Sequence, residues 1–177
     1  RERERLVAAE LAGRLAAERP DIVLLQEAWR PRHVRAIAAA AVPLGYEVTR
    51  PRGASMLGLA GGGLLLLLRE PLEVVSWRFA RFRKSTFIDS LARKGVLEAT
   101  IRDPRSGTLL ALVGTHTVAL DTVDGEPADP GQLAAFLAQA EEIVAALDRR
   151  SEGGAVPAIL LGDLNVGPGY VDAAYRR

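Results

Sequence analysis

Apolar residues at four-residue spacing predict a helix at the start of the chain. Val7, Leu11 and Leu15 lie among alanines and charged residues within residues 5–19, so they form a stripe along one helical face. Pro20 follows and ends that helix, because proline cannot continue the helical hydrogen bonding. The helix is therefore expected to end before the apolar segment that begins at residue 21.

Short apolar runs predict buried strands. Residues 21–25 and 158–161 show no polar alternation, which is typical of strands covered on both faces. Residues 96–102 and 109–115 flank an Asp-Pro-Arg-Ser-Gly turn sequence and therefore predict an antiparallel hairpin. The remaining predicted elements are strands at residues 46–49, 64–68 and 72–77, and helices at residues 33–42 and 132–148. This order favours sheets packed face to face, with helices on the outside.

Length and composition narrow the class of protein. A chain of 177 residues predicts a single domain over residues 1–177. With 49% hydrophobic and 25% charged residues, it is neither disordered nor a coiled coil. The lack of cysteine excludes a disulfide framework, a thiolate zinc site and a cysteine nucleophile. The longest apolar run, at residues 64–68, is far below the roughly 18 residues that predict a transmembrane segment. No stable protein partner is indicated, and the compartment stays open.

Charge is distributed unevenly although the formal net charge is only +1. Residues 76–105 contain eight basic and three acidic residues, whereas residues 106–177 contain four basic and ten acidic ones. The middle of the chain is therefore a candidate for binding an anionic substrate, and the later part for binding a cation. Solvated surface charge is the alternative interpretation.

Polar residues directly follow three of the predicted strands. They are Gln26 with Glu27, His116, and Asp163 with Asn165. An uncompensated carboxylate at the end of a buried strand costs several kcal/mol, so a cation nearby would stabilise it. Carboxylate and amide oxygens with one imidazole suit Mg²⁺ or Mn²⁺ better than Zn²⁺. Each residue also has an ordinary structural interpretation: Glu27 as a surface or capping carboxylate, Asp163 as a turn residue, and His116 as a structural histidine.

The segments that carry these residues resemble a known family. Ile-Val-Leu-Leu-Gln-Glu at residues 22–27, Gly-Thr-His at 114–116 and Leu-Leu-Gly-Asp-Leu-Asn at 160–165 are similar to the three central motifs of the endonuclease/exonuclease/phosphatase superfamily. These are metal-dependent phosphoesterases with the fold of DNase I. The resemblance runs from the first helix to the end of the chain. It implies an α/β fold, a four-layer α/β/β/α sandwich, incomplete here at both termini.

The resemblance also implies a role for each residue. Glu27 matches the glutamate that binds the metal ion, and Gln26 would support it. His116 matches the histidine that hydrogen-bonds the scissile phosphate. Asp163 and Asn165 match the Asp-x-Asn pair that orients the attacking water and the phosphate. The implied reaction is in-line attack of water on phosphorus, with Mg²⁺ or Mn²⁺ polarising a phosphoryl oxygen.

Two elements of the family pattern are missing from the sequence. The superfamily has an asparagine in a strand ahead of the first helix, and a C-terminal Asp-His pair whose histidine is the general base. Neither occurs in these 177 residues. We therefore expect the chain to be part of a longer protein and to be inactive, or nearly so, by itself. A non-catalytic homologue is the alternative.

A narrower resemblance concerns the substrate. Lys94-Gly95 at the start of a predicted strand, and Gln-Glu-Ala-Trp at residues 26–29, are similar to neutral sphingomyelinases and related phosphodiesterases. Lys94 would then lie near the substrate phosphate; a solvated lysine before a glycine turn is the alternative. We expect a phosphodiesterase acting on phospholipid head groups or a similar small substrate. The rivals are a nuclease cleaving DNA or RNA, which an aromatic content of only 5% disfavours, and a non-catalytic binding module.

Overall fold

A computed structural model of the chain describes residues 2–49, 61–123, 126, 127 and 129–166. The helices are α1 (Glu2–Glu18), α2 (Pro31–Ala41), α3 (Phe87–Ala92) and α4 (Pro130–Ser151), with short 3₁₀ turns at Val42–Leu44 and Gly61–Gly63. The strands are β1 (Ile22–Leu25), β2 (Tyr46–Thr49), β3 (Leu65–Arg69), β4 (Glu73–Arg81), β5 (Gly95–Arg102), β6 (Leu109–His116), β7 (Thr122–Val123), β8 (Glu126–Pro127) and β9 (Ala158–Asp163).

The first sheet has the order β1-β3-β2, with antiparallel neighbours throughout. The leucine run at residues 64–68 leads into and forms most of its central strand, β3. Leu65 and Leu67 face a core shared with α1 and α2, whereas Leu64, Leu66 and Leu68 face the second sheet. Successive side chains of a strand point to opposite faces, so a strand that is covered on both faces is apolar at every position.

The second sheet has the order β4-β5-β6-β9. Strands β5 and β6 pair antiparallel around the predicted turn, so the hairpin is confirmed. Strand β9 pairs parallel with β6, and α4 supplies the crossover that a parallel connection requires. Val113 and Val96 of this sheet pack against Ile143 and Ala146 of α4 on its outer face.

The two sheets pack on each other through their remaining faces. Leu24 of β1 packs against Gly114 of β6. A Cβ added to Gly114 would lie 2.9 Å from a methyl carbon of Leu24. Leu161 of β9 joins the same inter-sheet core. The mixed α/β class predicted from the sequence is confirmed. No helix within the described residues is long and apolar enough to span a bilayer.

Two predictions about local structure were wrong. Residues 21–25 and 158–161 were expected to be buried on both faces, but every residue of β1 is only partly buried, and Leu160 of β9 is 37% exposed. Both strands lie at the edges of their sheets as described, so each has a neighbour on one side only. The sequence pattern also missed α3, whose six residues are too few for a helical period to be visible.

Candidate active site

The ends of five strands meet at one edge of the molecule. Because β1 and β3 are antiparallel, the end of β1 lies beside Gly63 at the start of β3, and the Ala28 amide donates to the Gly63 carbonyl at 2.8 Å. A Cβ added to Gly62 would lie 3.4 Å from the Arg93 carbonyl oxygen, just before β5. Strand β5 pairs antiparallel with β6, and β6 pairs parallel with β9. The ends of β6 and β9 therefore lie at the same edge as the start of β5. The strand ends that carry the predicted site residues therefore lie at one edge.

His116 and Asp163 lie side by side at this edge. They are register partners at the ends of the parallel strands β6 and β9. The His116 side chain is 5% exposed, whereas Asp163 is exposed. A buried imidazole beside an exposed carboxylate can hold a fixed orientation while the carboxylate meets solvent or substrate.

The segment after β9 is held in a tight turn. The Asn165 amide donates to Asp163 Oδ1 at 2.8 Å, and Asn165 adopts a left-handed φ of 52°. The Asn165 side chain donates from Nδ2 to the Thr117 carbonyl at 3.0 Å. Asparagine tolerates this backbone region better than most residues, since its short polar side chain bonds locally. The turn fixes Asp163 and Asn165 relative to β6.

Glycine is required immediately before this turn. Gly162 has a φ of 154°, and a Cβ added there would overlap the Thr115 carbonyl oxygen of β6. The backbones of the two strands therefore approach too closely for a side chain at this position. Gly162 therefore permits β9 to pair closely with β6, and this pairing sets the position of Asp163.

Lys94 reaches the same edge from β5 and is buried. Its side chain is 8% exposed, and Nζ donates to the Thr117 carbonyl at 2.8 Å. Gly95 allows β4 to approach closely, because a Cβ there would overlap the Ala80 carbonyl oxygen. The alternative interpretation of Lys94 as a solvated lysine is wrong. Its predicted contact with a substrate phosphate stays a prediction.

Glu27 reaches the edge from the first sheet. Its carboxylate is exposed, and its backbone has a left-handed φ of 59°, a conformation that costs a non-glycine residue roughly 1–2 kcal/mol. Strained backbone is concentrated at functional sites. The Gln26 side chain donates to the Leu24 carbonyl at 3.5 Å, so its support of Glu27 stays a prediction. Next to Glu27 is a pocket of about 630 Å³ between α1, α2 and the end of β1, lined largely by apolar side chains that include Leu25 and Trp29.

The donor groups at this edge fit Mg²⁺. This ion keeps several water ligands and is usually held through one or two carboxylates and the substrate phosphate. Glu27 offers such a carboxylate in an exposed position. Among the residues that the structure describes, no three His, Cys, Asp or Glu side chains form a group that could hold a metal ion unaided.

Arg78, from the basic segment at residues 76–105, takes part in a cluster of ion pairs around the buried Glu98. Glu98 is 1% exposed and accepts hydrogen bonds from Arg78 at 2.6 Å, Arg149 at 2.9 Å and Arg150 at 3.1 Å. Burial raises the pKa of Glu98, but the three guanidinium groups together outweigh it and hold that pKa below its ordinary value. The cluster links the C-terminal end of α4 to the second sheet, because two of its arginines lie on α4 and Glu98 lies on β5. Sequence reasoning missed it, because Arg78 lies 20 residues before Glu98 and the other two arginines lie 51 and 52 residues after it.

Sequence reasoning also missed Thr117, whose side chain is fully buried at the centre of the edge. Its hydroxyl donates to the Leu164 carbonyl at 2.6 Å, and its amide donates to the Asp163 carbonyl at 3.0 Å. The only available signal was a threonine directly after the motif histidine.

Solved structures resemble this fold over nearly the whole chain. Against the human nocturnin catalytic domain with bound sulfate, the TM-score is 0.72 at 21% identity, covering 99% of this chain and 61% of that one. Against sphingomyelinase C from Streptomyces griseocarneus it is 0.73 at 24% identity, covering 98% and 60%. Against a β-hairpin deletion mutant of Staphylococcus aureus beta toxin it is 0.73 at 18% identity, covering 98% and 64%. At these identities the likeness concerns the fold, and the chain spans less than two thirds of each structure.

No curated protein matches the chain significantly in sequence. Residues 1–176 match the model of the Endonuclease/Exonuclease/phosphatase family. The three motifs, their convergence at one edge and this match agree, and the chain therefore belongs to the endonuclease/exonuclease/phosphatase family.

Proposed function

We propose that the protein to which this chain belongs is a Mg²⁺- or Mn²⁺-dependent phosphodiesterase with its active site at the edge described above. The observation that carries the proposal is the pairing of His116 with Asp163 on adjacent parallel strands, with Asn165 fixed two residues further on. These are a histidine, a carboxylate and an amide, the groups needed to bind a phosphodiester and orient a water molecule.

The chain's own residues have separate tasks in this reaction. His116 donates a hydrogen bond from a ring N–H to a non-bridging phosphoryl oxygen and stabilises the charge that develops there. Asp163 accepts a hydrogen bond from the attacking water and aligns its oxygen with phosphorus. Asn165 donates an N–H to the phosphate and limits its rotation. Glu27 would hold the metal ion, which when bound would polarise the phosphoryl oxygen.

The water oxygen bonds to phosphorus as one ester P–O bond breaks, the departing oxygen leaves as an alcohol, and the proton released by the water goes to a general base. The family resemblance implies the histidine of an Asp-His pair for that role. We further propose that residues 1–177 form one domain and that the whole protein completes a four-layer α/β/β/α sandwich. The partly exposed edge strands β1 and β9 support this, since neighbouring strands would cover them.

A small amphiphilic phosphodiester, such as a phospholipid head group with its apolar portion, is the favoured substrate class. The largely apolar pocket beside Glu27 supports this choice. Three arginines of the middle segment are already paired with carboxylates, which leaves fewer of them for a polyanion: Arg78 binds Glu98, Arg102 binds Glu73 at 2.6 Å, and Arg105 binds Asp103 at 3.0 Å. A nuclease is the second candidate, because the solved structures of similar fold include TDP2 complexed with a single-stranded DNA product.

The test is hydrolysis by the full-length protein of sphingomyelin, a chromogenic phosphodiester and plasmid DNA, each with Mg²⁺ and with EDTA. We expect Mg²⁺-dependent cleavage of the first two. Cleavage of DNA with the lipid left intact would select the nuclease. No metal-dependent cleavage of any of the three, together with a full-length sequence that lacks the terminal Asp-His pair, would identify a non-catalytic binding module.

A further inference from the structure

Thr117 contacts every residue of the Asp-Leu-Asn segment through a different group. Its amide donates to the Asp163 carbonyl at 3.0 Å, and its hydroxyl donates to the Leu164 carbonyl at 2.6 Å. Its own carbonyl accepts from Asn165 Nδ2 at 3.0 Å. The residue is fully buried, so these bonds are shielded from competing water.

The Thr117 carbonyl also accepts from Lys94. The ammonium nitrogen is 2.8 Å from this oxygen, so a carbonyl with two lone pairs accepts from two donors, one just before β5 and one just after β9. A carbonyl can only accept, and therefore it selects the NH₂ end of the Asn165 amide. This turns Asn165 Oδ1 away from Thr117 and determines which atoms of the amide face the open edge.

The position of the Lys94 ammonium is itself strongly constrained. The side chain is 8% exposed, and a buried ammonium requires hydrogen-bond partners. Arg93 before it has a left-handed φ of 53°, and Gly95 after it permits the close approach of β4. A charged donor makes a stronger hydrogen bond than a neutral one and polarises its acceptor.

We propose that Lys94 and Thr117 are positioning residues that set the orientation of the Asn165 amide and the Asp163 carboxylate, with Lys94 acting through the Thr117 carbonyl. This inference rests on the proposed phosphodiesterase function. It gives Lys94 a different task from the one expected of a phosphate ligand: the side chain affects turnover without contacting the substrate.

Kinetics of the full-length protein with the chromogenic phosphodiester separate the two tasks. Loss of a supporting group of this kind typically costs about 10–100-fold in activity. We expect Lys94→Met and Thr117→Val to lose that much in kcat, whereas KM and the Kd of inorganic phosphate, to which Asn165 contributes one hydrogen bond, should rise by no more than about threefold. Thr117→Ser keeps the hydroxyl and should keep kcat. A large rise in KM and in the phosphate Kd of Lys94→Met, with kcat unchanged, would make Lys94 a phosphate ligand and overturn the inference.

A double-mutant cycle tests whether Lys94 acts through Asn165. If it does, Lys94→Met should cost little further kcat in an Asn165→Ala background, because the amide that it orients is gone. Fully additive losses would show that Lys94 acts independently of Asn165. Lys94→Gln, which keeps a hydrogen-bond donor without the charge, replaces Lys94→Met if thermal unfolding shows that the latter is not folded.

A readout independent of catalysis keeps this inference separate from the proposed function. The Asn165 side-chain NH₂ resonances should show slow hydrogen exchange in the wild type and faster exchange in Lys94→Met and Thr117→Val, whether or not the protein hydrolyses a phosphodiester. Unchanged exchange in both variants would overturn the positioning role. Absence of metal-dependent hydrolysis in the wild type, with faster exchange in the variants, would instead overturn the proposed function alone.

Discussion

His116 lies directly beside Asp163 because β6 and β9 run parallel with residues 116 and 163 as register partners. The two residues are 47 positions apart, and the chain between them contains the whole of α4. The crossover helix thus places a carboxylate next to an imidazole at the ends of neighbouring strands. Parallel strands bring such ends to the same edge, which is where α/β proteins commonly build their sites.

Replacing the predicted metal ligand should separate metal binding from folding. Glu27→Gln in the full-length protein keeps the shape and the left-handed backbone but removes the charge, so we expect at least about a tenfold loss of Mg²⁺ affinity by calorimetry. The thermal unfolding midpoint should change little, since the side chain is exposed. Glu18→Gln, at the exposed end of α1, is the matched control. Unchanged Mg²⁺ affinity in Glu27→Gln would remove Glu27 from the metal site.

Replacing the motif histidine should affect turnover more than metal affinity. His116→Ala removes a hydrogen bond to the developing charge on the phosphoryl oxygen, a loss typically of about 10²–10³-fold in kcat. His116→Gln, which keeps a side-chain N–H donor, should retain more of the turnover than His116→Ala. A His116→Ala variant with normal kcat and weakened Mg²⁺ binding would reassign His116 to the metal.

Adding a single methyl group at Gly162 should disturb the site through the backbone. A Cβ at this position overlaps the Thr115 carbonyl oxygen, so β9 must move away from β6. We expect Gly162→Ala to lower the free energy of unfolding by about 2–3 kcal/mol in urea titrations, and to reduce kcat. Gly153→Ala is the control, because Gly153 also has a positive φ, of 68°, but has no heavy atom within 4 Å of the added Cβ. Equal losses in the two variants would contradict the steric explanation.

Because Glu98 is buried and ion-paired, the free energy of unfolding should fall as the pH is lowered into the acidic range. Its pKa is held below the ordinary value in the folded state, so its stabilising contribution is present above the unfolded pKa and is lost as the pH falls through the folded pKa. Glu98→Gln should therefore unfold more easily at pH 7, by about 3 kcal/mol, and should lose part of the acid sensitivity. Urea titrations at pH 7 and at successively lower pH measure both effects.

The control for this prediction is an exposed ion pair on the same sheet. Glu73 binds Arg102 with about half of each side chain exposed, so Glu73→Gln should cost at most about 1 kcal/mol. If Glu73→Gln and Glu98→Gln cost the same, the buried cluster does not contribute what its burial implies.

Several elements could be predicted from the sequence because their causes are local. The turn between β5 and β6 is encoded by five consecutive residues, and the hairpin has the predicted partners. The leucine run at residues 64–68 predicted a strand, and β3 is formed there at Leu65–Arg69. The candidate site residues were identified by their position directly after apolar runs, a pattern that also needs only a few neighbouring residues.

The remaining features were decided by tertiary structure, since they depend on partners far along the chain. Whether a short apolar strand is central or at an edge is set by strand order, which the local pattern of β1 and β9 does not contain. The burial of Lys94 and its bond to Thr117, 23 residues later, follow from the pairing of β5 with β6. The sequence by itself determined which residue types are available for phosphoester chemistry; the packing of two sheets determined which of their atoms face one another, because only long-range pairing fixes distances between segments.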